Sequence, residues 1–319
     1  MIDGNRDNNA DGHGIHLFNA ADSLIENVYI KNVAKRGLFL DGDSTKGILN
    51  SIVKVHVNNV GEDGISLRYN YDNWIYRCYV EHCGRHGVAL FSGNNRLVAV
   101  HAFDCGRNPD LNGAGIYISS NANELIGCVA DTNNQHGINI YNGNRNKILD
   151  GYVFDNSAEA SGEYSGIRLA GTSTNNTIIN CFSGTVSGSP TQKYGIVEEG
   201  YSENNVIINC NVAGNVVANI ETTDPDTIVA YNQGYKTKNS GTVTININGT
   251  PAGTTLKYPV EHGLAVQPDH VMLTLKQPPT AVDVSADDFE LEYWWAEKHY
   301  NGVLRHLRQN LAGKPSFWS

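Results

Sequence analysis

Apolar and polar residues alternate in short stretches through the first 226 residues of the chain. Stretches such as "GIHLF", "GISLR" and "GINIY" open at a glycine, and every second residue after it is apolar. A period of two is typical of half-buried β-strands. The opening glycines stand 22 to 29 residues apart, which leaves no room for helices between strands: Gly14, Gly37, Gly64, Gly87, Gly115, Gly137, Gly166 and Gly195.

The repeated interval predicts how these strands are arranged. A unit of this size cannot bury its own apolar face, so it must stack on its neighbours. We therefore predict an all-β fold over residues 1–238, a right-handed parallel β-helix with one coil per unit. About eight or nine coils should span residues 11–226, with equivalent residues about 4.8 Å apart on adjacent coils.

The cysteines test this register. When the units are aligned on their glycines, four cysteines share a column with Val28, Val55 and Val100, and two share a column with Val33 and Val60. Neither a CxxC pair nor a Cys/His ligand spacing occurs, so free buried thiols are favoured over disulfides or a metal site. The first column holds Cys78, Cys128, Cys181 and Cys210, and the second holds Cys83 and Cys105.

Composition narrows the classes of partner. The chain has 23 basic and 33 acidic residues, a net charge of −10, which disfavours a nucleic-acid partner. No apolar run approaches the roughly 18 residues that cross a membrane. The opening "MIDGN" carries no signal peptide, and because it begins inside a predicted strand, residues upstream are expected to be missing.

The opening "IDGNRDNNADGHGI", followed by coils that begin "DGI", "HGV" and "HGI", resembles the right-handed parallel β-helix superfamily of pectin and pectate lyases. The resemblance is nearest to mannuronan C5-epimerase-like proteins and phage tailspikes, and it covers residues 2–226. It implies an extracellular, cell-surface or virion-associated protein that acts on polysaccharide, with a homotrimer as a possible assembly. The Asp-Pro-His motif of the epimerase branch does not occur in this chain.

The residues after the coils change in pattern. Residues 239–296 contain further strand-like runs and predict a small β-sandwich-like module that caps the last coil, oligomerises or binds glycan. Residues 297–319 form a separate tail, in which Leu304, Leu307 and Leu311 have the spacing of one helical face.

The outward side of the glycine-led strands carries the candidate chemistry. Since Ile15 and Leu17 point into the coil, His16 and Phe18 point out, and the same parity holds in later coils. These outward rows are rich in aromatic residues, His and Arg, which suit sugar rings and carboxylates of an acidic polysaccharide. The predicted substrate-binding residues are Phe39, Asp41, Tyr69, Tyr71, Phe91, Tyr117, His136, Tyr141 and Arg168.

Three residues are predicted to be catalytic. Asp63 and His86 occupy one column on adjacent coils, close enough for the carboxylate to orient the imidazole and raise its pKa. Removing the C5 proton of a uronate needs a base, a cation on the carboxylate and a proton donor. His86 or a Tyr would be the base, Arg68 the cation, and Tyr117 or Tyr141 the donor. The alternative is that Asp63 and His86 form an ordinary surface ion pair.

Two function classes follow. The first is a lyase, epimerase or depolymerase of an acidic glycan, and the second is a non-catalytic glycan-binding or structural tailspike or surface protein. No cofactor is predicted. The Asp- and Asn-rich stretch over residues 3–12 invites a Ca²⁺ loop, but it lacks the Glu of an EF-hand, so a cluster of side-chain-capped turns is favoured.

Overall fold

The computed structural model describes residues 1–43 and 47–236, together with three short strands further on. The chain divides into two compact units, Met1–Tyr235 and Lys236–Ser319. The first unit is a solenoid of parallel strands in three sheets, and no helix occurs among the residues described. The predicted parallel β-helix of about nine coils is confirmed.

The first seven coils each contribute one strand to each sheet, in the order I, II, III, and the last two coils contribute strands to sheets I and II only. Sheet I consists of Ile15–Phe18, Leu38–Asp41, Ile65–Leu67, His86–Leu90, Ala114–Ile118, His136–Tyr141, Ile167–Ala170, Tyr194–Glu198 and Ala218–Glu221. Sheet II consists of Leu24–Glu26, Ser51–Val53, Trp74–Tyr76, Arg96–Val98, Glu124–Ile126, Lys147–Leu149, Thr177–Ile179, Val206–Ile208 and Ile228–Ala230. Sheet III consists of Ile2–Asp3, Tyr29–Val33, His56–Val60, Tyr79–Cys83, His101–Phe103, Val129–Asp131, Tyr152–Phe154 and Phe182–Gly184. A short ribbon pairs Gly47–Ile48 with Asn70–Tyr71.

The corner between sheets II and III is a one-residue turn in the left-handed region. Asn27, Lys54 and Arg77 have φ of 56°, 50° and 53° there, and later coils repeat the conformation. The C-terminal part of the sheet III strands has the same conformation, with Asn32 and Asn59 at φ of 52° and 54° and residues at the same place in later coils also at positive φ. Asn and Asp tolerate this conformation, which explains why turn residues recur in register.

The core is a set of columns that run along the solenoid. Cys83 pairs with Val60, and Val60 with Val33, as the aligned sequence predicts. All six cysteines are free and buried. Burial raises the pKa of Cys78 and of Cys128 to about 11, so both remain protonated at neutral pH. The prediction of stacked, reduced thiols is confirmed.

A buried ladder of asparagines lies inside the corner between sheets I and II. The backbone N–H and the side-chain Nδ2 of Asn50 both donate to Asn73 Oδ1, and the same two groups of Asn73 donate to Asn95 Oδ1. From Asn73 onward, each side-chain oxygen accepts from the asparagine one coil earlier, and each side-chain Nδ2 donates to a neighbouring oxygen. The ladder thereby satisfies buried backbone N–H groups from coil to coil. Sequence alignment did not single it out; it continues through Asn123, Asn146, Asn176 and Asn205.

In the second unit the described strands are Thr255–Leu256, Leu291–Trp294 and Val303–Arg308, which form an antiparallel sheet. The helical spacing predicted from the tail leucines is therefore wrong for residues 303–308, where the chain is a strand. Most of the predicted module at 239–296 and of the tail at 297–319 lies outside the described residues, so that division stays a prediction.

Candidate functional site

The outward face of sheet I has the register that the sequence predicts. Aligned pairs connect His16 to Phe39, Phe39 to Ser66, and Ser66 to Ala89. The row continues through Tyr117, Asn139 and Arg168. We call this surface the sheet I face.

The sheet I face is more covered than expected. Phe39 is 3% exposed and Asp63 is fully buried, since arginine and aromatic side chains from adjacent coils lie over them. Tyr69 and Tyr141 are 49% and 42% exposed. The face therefore combines a few open rings with a buried polar layer, rather than a row of open platforms.

Asp63 is the centre of that layer. Arg85 donates two hydrogen bonds to its carboxylate, from Nε at 2.7 Å and from Nη2 at 2.5 Å, and Arg36 Nε donates a third at 3.3 Å. Burial is the largest single effect on the Asp63 carboxyl and would raise its pKa. The Arg85 hydrogen bonds, together with the charges of His86, Arg85 and Arg36, outweigh burial and hold that pKa below its usual value. Asp63 is thus an ionised anchor for guanidinium groups, unsuited to exchange protons near neutral pH.

His86 does not form the predicted side-chain pair with Asp63. Its backbone N–H donates to Asp63 Oδ1 at 3.4 Å, while its ring stacks on Tyr117 with centroids 4.4 Å apart and planes at 7°. Burial lowers the pKa of His86 to about 4, against the smaller opposing effect of Asp63. The expected net rise of this pKa is wrong: Asp63 does act to raise it, but desolvation of the imidazolium is the larger effect. His86 is neutral at neutral pH.

A comparison with other coils sets His86 apart. His13 Nδ1 accepts the backbone N–H of Arg36 at 3.3 Å, and His136 Nδ1 accepts that of Ser165 at 3.0 Å. In both cases the histidine before the glycine bonds the backbone of the next coil, which is a structural role. His136, predicted to bind substrate, is engaged in this way, and burial lowers its pKa to about 3. His86 Nδ1 is buried and has no partner among the described residues.

Arg68 lies in a second cluster. Its guanidinium donates to both oxygens of Asp41, at 2.9 and 2.6 Å, and lies 5.2 Å from the Phe39 ring centroid. Arg36 lies 4.5 Å from the same ring. Arg68 is therefore not brought to Asp63, and the guanidinium groups beside that carboxylate are those of Arg85 and Arg36. The sequence signal for Arg85 is its place directly before His86 in "CGRHGVALF".

The remaining predicted residues fall at the rims of the face. Phe91 contacts Tyr117, with ring centroids 5.8 Å apart, and lies 6.0 Å below the Arg85 guanidinium. Tyr71 lies in the short ribbon beside Ile48 rather than on the sheet I face. The Nε and Nη2 atoms of Arg168 pair with Glu199 at 2.9 and 2.8 Å.

Unsatisfied polar atoms concentrate on this face. Of six buried side-chain atoms that lack a hydrogen-bond partner within the described part of the chain, three belong to it. They are Ser66 Oγ, His86 Nδ1 and Asn139 Oδ1. Because buried polar groups in folded proteins are nearly always paired, each such group calls for an explanation, and a ligand is one. The sequence prediction named only His86 of these three.

The described residues were also compared with the requirements of a metal site and of a membrane-spanning helix. Over residues 1–43 and 47–236, no group of three or more His, Cys, Asp or Glu side chains is placed to hold a metal ion. In the Asp-rich opening, Asp3 Oδ1 accepts the backbone N–H of Asn5 and Asp11 Oδ1 that of Gly12, as turn caps do. The same residues include no helix long and apolar enough to cross a membrane.

Comparison with known proteins agrees with this architecture. A family model described as right handed beta helix region matches residues 13–183, more than half of the chain. No curated protein sequence matches.

Two solved structures illustrate the similarity. The A-module of the Azotobacter vinelandii mannuronan C-5 epimerase AlgE4 is 17% identical with a TM-score of 0.51, over 65% of this chain and 63% of that one. The enzymatically active domain of bacteriophage CBA120 tailspike protein 2 is 18% identical with a TM-score of 0.51, over 75% of this chain and 37% of that one. The chain spans less than two thirds of either structure, and at these identities the likeness concerns the fold alone.

Proposed function

The chain belongs to the right-handed β-helix family, and from that premise we propose that it binds an acidic polysaccharide along the sheet I face and acts on it as a lyase or an epimerase. The observation that carries the proposal is the group of buried, unpartnered polar atoms on Ser66, His86 and Asn139. These atoms lie among guanidinium groups and aromatic rings, the side chains that suit carboxylates and sugar rings.

The chemistry begins with proton removal at C5 of a uronate. The neutral His86 takes this proton, because its low pKa leaves the imidazole unprotonated at neutral pH. Arg85 stabilises the enolate-like charge on the substrate carboxylate; two of its donors hold Asp63, and its Nη1 group remains for the ligand. Asp63 is then a positioning residue, a change from the catalytic role predicted from the sequence.

Tyr117 completes the sequence of steps as the proton donor. Burial raises the pKa of Tyr117, so its hydroxyl is protonated and can give a proton. If that proton reaches C5 from the opposite face, the product is the epimer. If the C4–O bond breaks and the proton goes to the leaving oxygen, the product is an unsaturated chain end. Arg68 and Asp41, held by their mutual pair, take substrate-binding roles at the other rim.

The same arrangement also gives the second candidate its support. Arg36, Arg68, Arg85 and Arg168 all pair with carboxylates of the chain, and His86 is only 5% exposed. A preformed, internally neutralised layer of this kind suits a surface that binds glycan without changing it. The predicted extracellular, cell-surface or virion-associated location and the homotrimer belong equally to both candidates and remain proposals.

One experiment separates the two. The protein is incubated with polymannuronate and polygalacturonate in D₂O, and deuterium at C5 is measured by NMR, with ultraviolet absorbance reporting unsaturated ends. An epimerase returns a solvent deuteron to C5, whereas a lyase leaves a C4=C5 double bond with no hydrogen at C5. The proposed reaction therefore predicts deuterium at C5 or ultraviolet-absorbing unsaturated ends in at least one polymer. Binding of these polymers without C5 exchange or chain shortening would reject catalysis and leave the binding protein.

A further inference from the structure

A second concave surface lies away from the sheet I face. It is a groove of about 440 Å³ between the outward row of sheet II and the turns that lead into that sheet. Trp74, Arg96, Glu124 and Lys147 are aligned partners on four adjacent strands, so they line the groove in a row along the solenoid axis. Four strands span about 14 Å.

One end of the groove carries a fixed aromatic surface. The Trp74 side chain is 48% exposed. The Arg96 guanidinium lies 4.7 Å from the Trp74 ring centroid, and its Nε is 2.5 Å from Glu124 Oε2. These contacts hold the indole in place while half of it stays open to solvent, as stacking of a sugar ring requires.

The other end carries unpaired positive charge. Arg145 and Lys147 line the groove, both are exposed, and neither has an ion pair or a side-chain hydrogen bond within the described residues. Glu124, the carboxylate nearest in the row, is already taken by Arg96. Two free cations stand together in a chain whose net charge is −10.

The groove is also electrostatically polar along its length. Asp72 lines it next to Trp74, whereas Arg145 and Lys147 lie three coils further on. A carboxylate on a ligand is therefore repelled from the Trp74 end and attracted to the Lys147 end. Exposed lysines are common on protein surfaces; here they form one end of a concavity that has an aromatic platform at the other.

We propose that this groove is a holding site for a short acidic oligosaccharide segment, with a sugar ring on Trp74 and a carboxylate at Arg145 and Lys147. The choice of a uronate ligand rests on the proposed function, but the groove shares no residue with the sheet I face. It would retain a polysaccharide chain beside the reaction surface without taking part in the chemistry.

The test uses fluorescence of the full chain. Trp74 is the only tryptophan in residues 1–236 of the sequence, so a ligand on its ring changes a distinct part of the emission. Hexamers of mannuronate and of galacturonate are titrated into wild type, and cellohexaose serves as the neutral probe. We expect the acidic hexamers to quench wild type, Trp74→Phe to abolish the quench, and cellohexaose to bind about tenfold more weakly.

A matched pair of double variants tests the cations. Arg145→Asn with Lys147→Thr introduces the residues found at the same places one coil on, Asn175 and Thr177, so folding is preserved. Lys54→Asn with Arg77→Asn removes two charges from the opposite edge of sheet II, at turns where other coils have Asn. We expect about a tenfold loss of affinity from the first double variant and no loss from the second.

The outcomes separate this site from the reaction surface. Three results would overturn the proposal of a holding site in this groove. They are a quench that persists in Trp74→Phe, equal losses of affinity from both double variants, and no quench by either acidic hexamer. If neither deuterium at C5 nor unsaturated ends appear with any polymer while the Trp74-dependent quench remains, the proposed reaction is rejected and the groove proposal stands. If either product signal appears and the quench is absent, the reaction stands and the groove proposal is rejected.

Discussion

The outward faces of sheets I and III carry similar residue types but differ in whether the polar atoms of those residues have hydrogen-bond partners. Sheet III presents an aligned row of Tyr and His through its first four long strands, Tyr29, His56, Tyr79 and His101. Its rings contact one another at 4.6 to 5.2 Å between centroids. Aromatic and His enrichment, the feature that singled out sheet I in the sequence, is therefore not special to sheet I.

The difference lies in the polar atoms. On sheet III, His56 Nε2 meets Glu81 at 2.8 Å and His101 Nε2 meets Asp131 at 2.5 Å, so each ring has a carboxylate partner. On sheet I, His86 is stacked and buried with its Nδ1 unpartnered. An unsatisfied buried group discriminates a binding face from a self-contained one better than residue type does.

The largest expected effect concerns the Asp63 centre. Arg85→Ala leaves a fully buried carboxylate with Arg36 as its one remaining guanidinium partner, so we expect a loss of about 3 kcal/mol in the free energy of unfolding, measured with urea. Arg168→Ala, which breaks the more exposed pair with Glu199, should cost about 0–1 kcal/mol. Equal losses from the two variants would show that burial does not distinguish these pairs.

The second prediction sets the two faces against each other in activity. His86→Gln should lower turnover of the cognate polyuronate by about a hundredfold or more, since the base is removed. His101→Gln, at a ring paired on sheet III, should retain wild-type turnover within about twofold. Far-ultraviolet circular dichroism checks that both variants are folded. A greater loss of turnover from His101→Gln would indicate that the reaction takes place on sheet III.

The coils and the register of their strands could be predicted from the sequence, because equivalent positions recur once in every coil. Val33, Val60 and Cys83 fall in one column since each faces the same core, and the outward row from His16 to Arg168 follows from strand parity. Contacts between columns could not be predicted in this way. The choice of Arg85 over Arg68 as the partner of Asp63 depends on side-chain reach across coils, and the low pKa of His86 depends on how fully Tyr117 and its neighbours cover it.

The third prediction is the pH dependence of stability. Burial lowers the pKa of His86 to about 4 and of His136 to about 3 in the folded chain, below the usual 6.5. The unfolded chain therefore binds more protons below pH 6.5, and stability falls as the pH drops. Between pH 6.5 and about 5, each histidine should contribute a loss of about 2 kcal/mol.

Urea unfolding at several pH values measures this slope, in a range above the usual pKa of Asp. His86→Gln and His136→Gln should each flatten it, and the double variant should flatten it most. An unchanged slope in the double variant would mean that the pKa values of these two imidazoles are not lowered by folding. In activity, the same pKa predicts that the acid limb of the pH–rate profile lies near pH 4 if His86 is the base.

The smallest expected effect is the most direct test of what the unpartnered atoms mean. Ser66 Oγ is buried on the sheet I face without a partner, whereas Ser92 Oγ, also buried, donates to Asn70 O at 2.6 Å and accepts from Asn70 N at 3.2 Å. Ser92→Ala should therefore destabilise the fold by about 1 kcal/mol, and Ser66→Ala should be neutral or stabilise it by about 0.5 kcal/mol. If Ser66 serves a ligand, Ser66→Ala should at the same time weaken binding of the acidic polymer several-fold, with Ser92→Ala binding as wild type does. A Ser66→Ala variant that is less stable than wild type would instead show that the hydroxyl is satisfied within the fold, and the argument from unsatisfied groups would lose one of its three members.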